Sequence, residues 1–175
     1  MSELKYDIGA SQFANKQREG YQPIDFQDFD IRTPWPIEDN TVDALNLSHV
    51  LEHVEHDKAE FVLRECYRTL KPSGVIDVFV PNGKLIGMLL LLGLSESSTV
   101  KVQGYGIQIN EWQYHKNVFT KGELRRLFFK VGFREIKISG SDKLRRQIGK
   151  RSHRSLAGRL LTFFIPAELH VRAIK

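Results

Sequence analysis

Cysteine occurs once among the 175 residues, at Cys66, which excludes an intrachain disulfide and a zinc centre built on cysteines and asks for no oxidising compartment. Proline and glycine are sparse, 6 and 13 residues, and with 41% hydrophobic and 27% charged residues a collagenous, low-complexity or disordered chain is excluded. Long apolar runs are missing too. Leu85 to Leu94 contains two glycines and falls well short of the about 20 residues that cross a bilayer. The opening Met1-Ser-Glu-Leu-Lys-Tyr-Asp lacks the basic-then-apolar order of a secretory leader. The expectation is one cytoplasmic globular domain, 1–175, of a length that buries a core without staples.

Acid is absent from one stretch, Lys143 to Ala167, where Lys143, Arg145, Arg146, Lys150, Arg151, Arg154 and Arg159 stand uncompensated. These seven charges against a net +5 leave the remainder of the chain at −2. Any anionic partner, whether a membrane surface met peripherally or a nucleic acid, is therefore expected at Lys143–Arg159. The segment 141–167 reads as a basic insertion between the last two strands. Within it, Leu156, Leu160, Leu161, Phe164 and Ile165 have the spacing of a short apolar helix face.

Elsewhere, apolar runs of strand length alternate with helix-patterned segments, which predicts an α/β, Rossmann-like doubly wound sheet, mostly parallel with an antiparallel C-terminal edge strand. Strands are expected at Leu4–Ile8, Gln22–Asp25, Val42–Leu47, Val75–Val80, Phe133–Ile138 and Leu169–Ile174, the last two forming an antiparallel pair. Pro34-Trp35-Pro36 forbids regular pairing in between. Asp57 with Glu60 reads as a capping box opening a helix through Leu63, Cys66, Tyr67 and Leu70, stopped by Pro72 and Gly74. Thr120 with Glu123 is a second capping box, and Leu124, Leu127, Phe128 and Val131 form one face until Gly132. Leu85–Leu94 is expected to be a helix packed on the sheet or a lid.

The first strand ends in Asp7-Ile8-Gly9-Ala10-Ser11, a small-residue turn at the carboxyl edge where such folds bind nucleotides. Asp25 ends the second strand, and a carboxylate there accepts hydrogen bonds from both hydroxyls of a ribose. With Asp30-Ile31, Pro36-Ile-Glu-Asp-Asn-Thr-Val-Asp43, Leu47-Ser-His-Val-Leu-Glu-His53, Leu70-Lys-Pro-Ser-Gly74 and Gly132-Phe133 in this order, the chain resembles a small class I S-adenosylmethionine-dependent methyltransferase of the type 11 kind. The resemblance implies S-adenosylmethionine as cofactor. Asp7 would hold its ammonium, Gly9, Ala10 and Ser11 would cradle the methionine part and Asp25 the ribose. Asp30 and Ile31 would flank adenine, and Ser48 and His49 would pass the sulfonium. Ser11 replaces a glycine usual in that family, and the first helix is short. A scaffold that keeps the fold without turnover is therefore the second reading.

Methyl transfer displaces a group from an already activated cation, so positioning supplies most of the rate, and a base helps when the acceptor is a hydroxyl. His49, His53 and His115 are the candidate bases, and no metal is required. Asn46-Leu-Ser-His49 stands where enzymes acting on base amines often have an Asn-Pro-Pro-Tyr sequence, which disfavours a base amine; the resemblance to small single-domain members of the family implies O-methylation of a small-molecule or glycan-type acceptor. A third reading comes from His49-Val-Leu-Glu52-His53, which spells the H-x-x-E-H motif of a zinc peptidase.

Overall fold

The computed structural model describes residues 3–10, 18–96, 100–106, 108, 113–141 and 165–175. Six strands form one sheet: β1 (Lys5–Ile8), β2 (Gln22–Ile24), β3 (Val42–Ser48), β4 (Leu70–Pro81), β5 (Arg134–Ser141) and β6 (Glu168–Ile174), in the order β2-β1-β3-β4-β6-β5. The pairs β1/β2, β1/β3 and β3/β4 are parallel. The last strand, β6, is reversed and lies between β4 and β5, antiparallel to both. β5 is therefore an edge strand, with β2 at the other edge. The described α-helices are α1 (His56–Thr69), α2 (Gly83–Leu91) and α3 (Lys121–Val131).

The two sheet faces differ in chemistry because strand residues alternate. One face presents Ile8, Leu45, Leu47, Ile76, Val78 and Val171 to a core shared with Val62, Leu63 and Cys66 of α1 and Leu124 and Phe128 of α3. On the other face, Asp7, Asn46, Asp77 and Arg172 stand side by side across four strands. Asn46 Nδ2 donates to Asp7 Oδ1 at 2.6 Å, and Arg18 bridges Asn46 Oδ1 at 2.8 Å and Asp77 Oδ2 at 3.0 Å. His170 Nε2 lies 2.7 Å from Asp77 Oδ1, and Arg172 Nη1 donates to Asp77 Oδ2 at 3.0 Å. A buried carboxylate is costly unless paired and hydrogen-bonded. Asp77, 2% exposed, has three such partners.

α3 begins where its capping box predicts: Thr120 Oγ1 accepts from Glu123 N, and Gly132 closes the helix at φ +117, the left-handed conformation glycine adopts without a Cβ penalty. α1 does not begin at an Asp57–Glu60 box. Its N-cap is Glu55 and makes no side-chain cap bond, while the Glu60 carboxylate is held by Arg64 and Lys130 instead. β4 starts at Leu70 rather than Val75, because Lys175 donates its backbone N–H to Gly74 O and its Nζ to Leu70 O, tying the early part of the strand to the end of β6. Leu85 and Leu89 of α2 are buried with Val100, Ile165 and Ala167 against them, while Leu91 is exposed. No helix among the described residues is long and apolar enough to cross a membrane. The basic stretch Lys143–Arg159 and Ser11 lie outside the described residues.

Candidate active site

The carboxyl ends of β1, β2 and β3 open together, and a cavity of about 450 Å³ lies there, within the range of about 300–1,000 Å³ usual for small-ligand sites. Gly9 is at one wall with φ +72, and a Cβ built on it would come within 2.5 Å of Val50 Cγ2. A larger residue at position 9 would therefore be strained by its backbone conformation and by the close approach of the turn after β3. The lining also includes Asp25, Phe26, Phe29, Ile31 and Arg32 from the segment after β2, and the turn after β3 from His49 to Val54.

The second-strand acid is set by a tight turn. Asp28 N donates to Asp25 O at 2.9 Å and Asp25 N donates to Asp28 Oδ2 at 2.8 Å. Phe26 N donates to Asp25 Oδ1 at 2.7 Å. The carboxylate is thus held at the cavity with acceptor capacity in hand. Asp30 also lines the cavity, but its carboxylate is engaged by Arg32, with Nε to Oδ1 at 2.9 Å and Nη2 to Oδ2 at 2.8 Å. These bonds to Arg32 hold the Asp30 carboxyl below its ordinary pKa, against the opposing effect of burial. Asp30 is committed to Arg32 rather than standing free for an adenine amino group. Ile31 also lines the cavity.

Asp7 and Ser48 do not line the cavity. Asp7 is buried on the polar sheet face with Asn46, and Ser48 is exposed at the end of β3. Ala10 is half-buried beside Gly9.

The three histidines divide into two environments. His49 has φ +58, a conformation that a bulky residue keeps only when its surroundings hold it. Its Nδ1 lies 2.9 Å from Glu52 Oε1 and its Nε2 2.9 Å from Glu168 Oε1, and both carboxylates are buried. Burial pushes the His49 pKa down, but the bonds to Glu168 and Glu52 outweigh it and raise it to about 10. His49 is therefore an imidazolium at neutral pH, with both N–H groups spent on carboxylates. It has no lone pair with which to act as a base. The same arrangement answers the zinc-peptidase reading: Leu51–His53 is a single 3-10 turn, not a continuous helix, and His49 offers no free nitrogen to an ion shared with His53.

His53 and His115 come together although 62 positions apart in the chain: their rings sit edge to face with centroids 4.7 Å apart. His53 Nδ1 lies 3.1 Å from Tyr114 O, and His115 Nδ1 lies 2.9 Å from Gln103 O. A carbonyl only accepts, so each Nδ1 carries a proton, and in the neutral ring the lone pair is on Nε2. Burial pulls the His115 pKa below the ordinary value, keeping that ring neutral. The segments carrying the two rings are tied by the Glu52 carbonyl, which accepts from Lys116 N at 2.8 Å and Asn117 N at 3.0 Å. Asn117 also bonds Val54 O through Nδ2 and His56 Nδ1 through Oδ1.

Sequence reasoning did not single out Phe26, Phe29, Arg32 and Val50 as cavity walls, or Glu168 as a partner of His49. The Asp25-Phe-Gln-Asp-Phe29 run carries a local signal for the aromatics, two rings flanking a turn of acids. Glu168 carries none, because only the sheet order brings it to His49.

The open sheet, mostly parallel with its antiparallel C-terminal strands, matches the Rossmann-like fold of solved methyltransferases. Residues 4–78 match the family model described as a methyltransferase domain. No curated protein sequence matches the chain. Solved structures similar in fold include an S-adenosylmethionine-dependent methyltransferase from Archaeoglobus fulgidus, 18% identical, covering 99% of this chain and 86% of that one with a TM-score of 0.60. A Thermotoga maritima protein described as a possible histamine N-methyltransferase is 17% identical over 98% of this chain and 82% of its own, also with a TM-score of 0.60. A phosphoethanolamine N-methyltransferase from Haemonchus contortus, in complex with S-adenosyl-L-methionine, is 16% identical with a TM-score of 0.58. Its match covers 99% of this chain and 49% of that one.

Proposed function

We propose that the chain binds S-adenosylmethionine between Gly9, Asp25 and His49 and catalyses methylation of a hydroxyl on a small-molecule or glycan-type acceptor. The observation that carries this reading is the Asp25 carboxylate, fixed by its own turn at the mouth of a cavity walled by Phe29, Ile31 and Val50. The residues fit the cofactor: an acid for a ribose, apolar side chains for a purine ring, and an uncovered glycine backbone for the methionine part.

The cofactor supplies a methyl group already activated on a sulfonium. The chain's task is to orient the acceptor and manage one proton. His53 lines the cavity with its Nδ1 bonded to Tyr114 O, and its Nε2 takes the hydroxyl proton as the oxygen attacks the methyl carbon. His49 orients Glu52 and Glu168 rather than taking the proton. The uncompensated charges of Lys143–Arg159 support an acceptor or surface that is anionic, such as a phosphorylated or lipid-linked glycan at a membrane surface.

Calorimetric titration with S-adenosylhomocysteine tests the reading. Saturable binding with one molecule per chain is expected, and absence of binding at millimolar ligand overturns it.

A further inference from the structure

Beside the cavity, Glu52, His53 and His115 each bring one ligand atom within 4.8 Å of the others. A cluster of ligand types alone proves little, but two further observations single this one out. The first is a lone buried oxygen. Glu52 is fully buried, its Oε1 is bonded to His49, and its Oε2 has no hydrogen-bond partner. An unsatisfied carboxylate oxygen in a protein interior costs free energy, so it marks a place where something binds or where strain is stored. The second is the orientation of the two imidazoles. Both Nδ1–H groups are anchored on backbone carbonyls, Tyr114 O and Gln103 O, which is the arrangement that fixes the tautomer and aims Nε2 in metal-binding histidines. Neither Nε2 has a hydrogen-bond partner among the described residues.

We infer that Glu52 Oε2, His53 Nε2 and His115 Nε2 form a three-ligand site for a divalent transition-metal ion, with the open coordination position towards the cavity that His53 lines. Two imidazoles and one carboxylate suit Zn²⁺ or Fe²⁺ and are too nitrogen-rich for Mg²⁺ or Ca²⁺. Metal bonds of about 2.0–2.2 Å require the three atoms to draw together from their present spacing by small side-chain rotations. The backbone on either side is already tied by the Lys116 and Asn117 bonds to Glu52 O, so little main-chain ordering is left to be done. This triad differs from the H-x-x-E-H reading: His49 is not a ligand but a cation that holds the other oxygen of Glu52.

The ion's use rests on the proposed function, although the site does not. A metal at this position coordinates the acceptor hydroxyl and lowers its pKa, and the hydroxyl proton leaves to solvent. The His53 and His115 lone pairs are then spent on the ion, and activation of the acceptor passes from His53 to the metal. The oxygen forms its bond to the methyl carbon as the carbon–sulfur bond breaks.

The test uses the full chain stripped with a chelator, titrated with zinc chloride alone by calorimetry, and separately with S-adenosylhomocysteine. One zinc per chain is expected. His115→Ala and His53→Ala should each weaken it by more than about 100-fold, beyond the loss of about 10–100-fold that removal of an outer partner causes. S-adenosylhomocysteine affinity in His115→Ala should stay within a few-fold of the parent, which also shows that the variant is folded; if it does not fold, His115→Gln carries the same comparison. Zinc uptake that is absent in the parent, or unchanged in both variants, overturns the site. Zinc binding without S-adenosylhomocysteine binding leaves the site standing and overturns the methyltransferase reading, and the reverse result does the opposite.

Discussion

His49 donates from Nε2 to Glu168 Oε1 over 2.9 Å, joining residues 119 positions apart, and its Nδ1 lies the same distance from Glu52 Oε1. The turn after β3 is thereby locked to the first residue of β6 by one cation between two buried carboxylates. Removing the cation leaves both acids facing each other out of water. His49→Asn, which tolerates the left-handed backbone, is expected to lower unfolding stability by about 3 kcal/mol, the scale for breaking a buried ion pair. Urea denaturation measures it. Adding Glu168→Gln to that variant should recover part of the loss, since one of the two opposed charges disappears, and a further additive loss would show that the pair does not act through charge.

Asp25→Ala removes a carboxylate that lines the cavity with acceptor capacity for a ribose. Binding of S-adenosylhomocysteine should weaken by about 1.5–3 kcal/mol, the scale of a hydrogen bond to a charged group. Unchanged affinity in a variant with the parent's circular dichroism would remove Asp25 from the cofactor site.

Asp77 makes the sheet's polar face sensitive to acid. Burial raises its pKa, but the bonds from His170 and Arg18 and the charge of Arg172 outweigh burial and hold it below the ordinary value. A depressed folded-state pKa stabilises the fold above the unfolded-state value and is lost as pH falls through the folded one. Stability should therefore drop below about pH 4, the ordinary aspartate range. In Asp77→Asn it should be lower at neutral pH, with a shallower acid slope. Parallel slopes for the two proteins in thermal melts between neutral and acidic pH would assign the acid sensitivity elsewhere.

The basic stretch carries its own prediction. Changing Arg145, Arg146, Lys150 and Arg151 together to Ser should leave S-adenosylhomocysteine affinity unchanged. It should weaken association with vesicles containing anionic lipid, most at low salt because screening hides such charges at high salt. Equal loss of cofactor binding would place the stretch at the cofactor site instead.

How much of this was legible in the sequence follows from the range of each determinant. The capping box of Thr120 and Glu123 and the terminating Gly132 act within one helix, and α3 starts and stops where they predict. Strand positions follow from apolar runs that need only a sheet to lie on. The Asp57–Glu60 box failed because Glu60 finds Arg64 and, from another helix, Lys130. The early start of β4 depends on Lys175, which no pattern near Leu70 announces. In the site, Gly9, Asp25 and Ile31 were readable from motif order, since each lies at or just beyond a strand end. The protonation of His49 was not, because it is set by Glu168 across the sheet, and neither was the pairing of His53 with His115. Asp7 reached the polar row rather than the cavity because its side chain shares a sheet face with Asn46 and Asp77.

The bonds from Lys116 and Asn117 to the Glu52 carbonyl, with Asn117 also gripping Val54, make two distant pieces of chain one cooperative unit. Amides of the turn at residues 51–54 and of residues 115–117 should then exchange with solvent through a single shared opening event rather than as separate loops. Anything that binds at this wall slows exchange in both pieces at once, so occupancy of the cavity can be followed from amides that never touch the ligand.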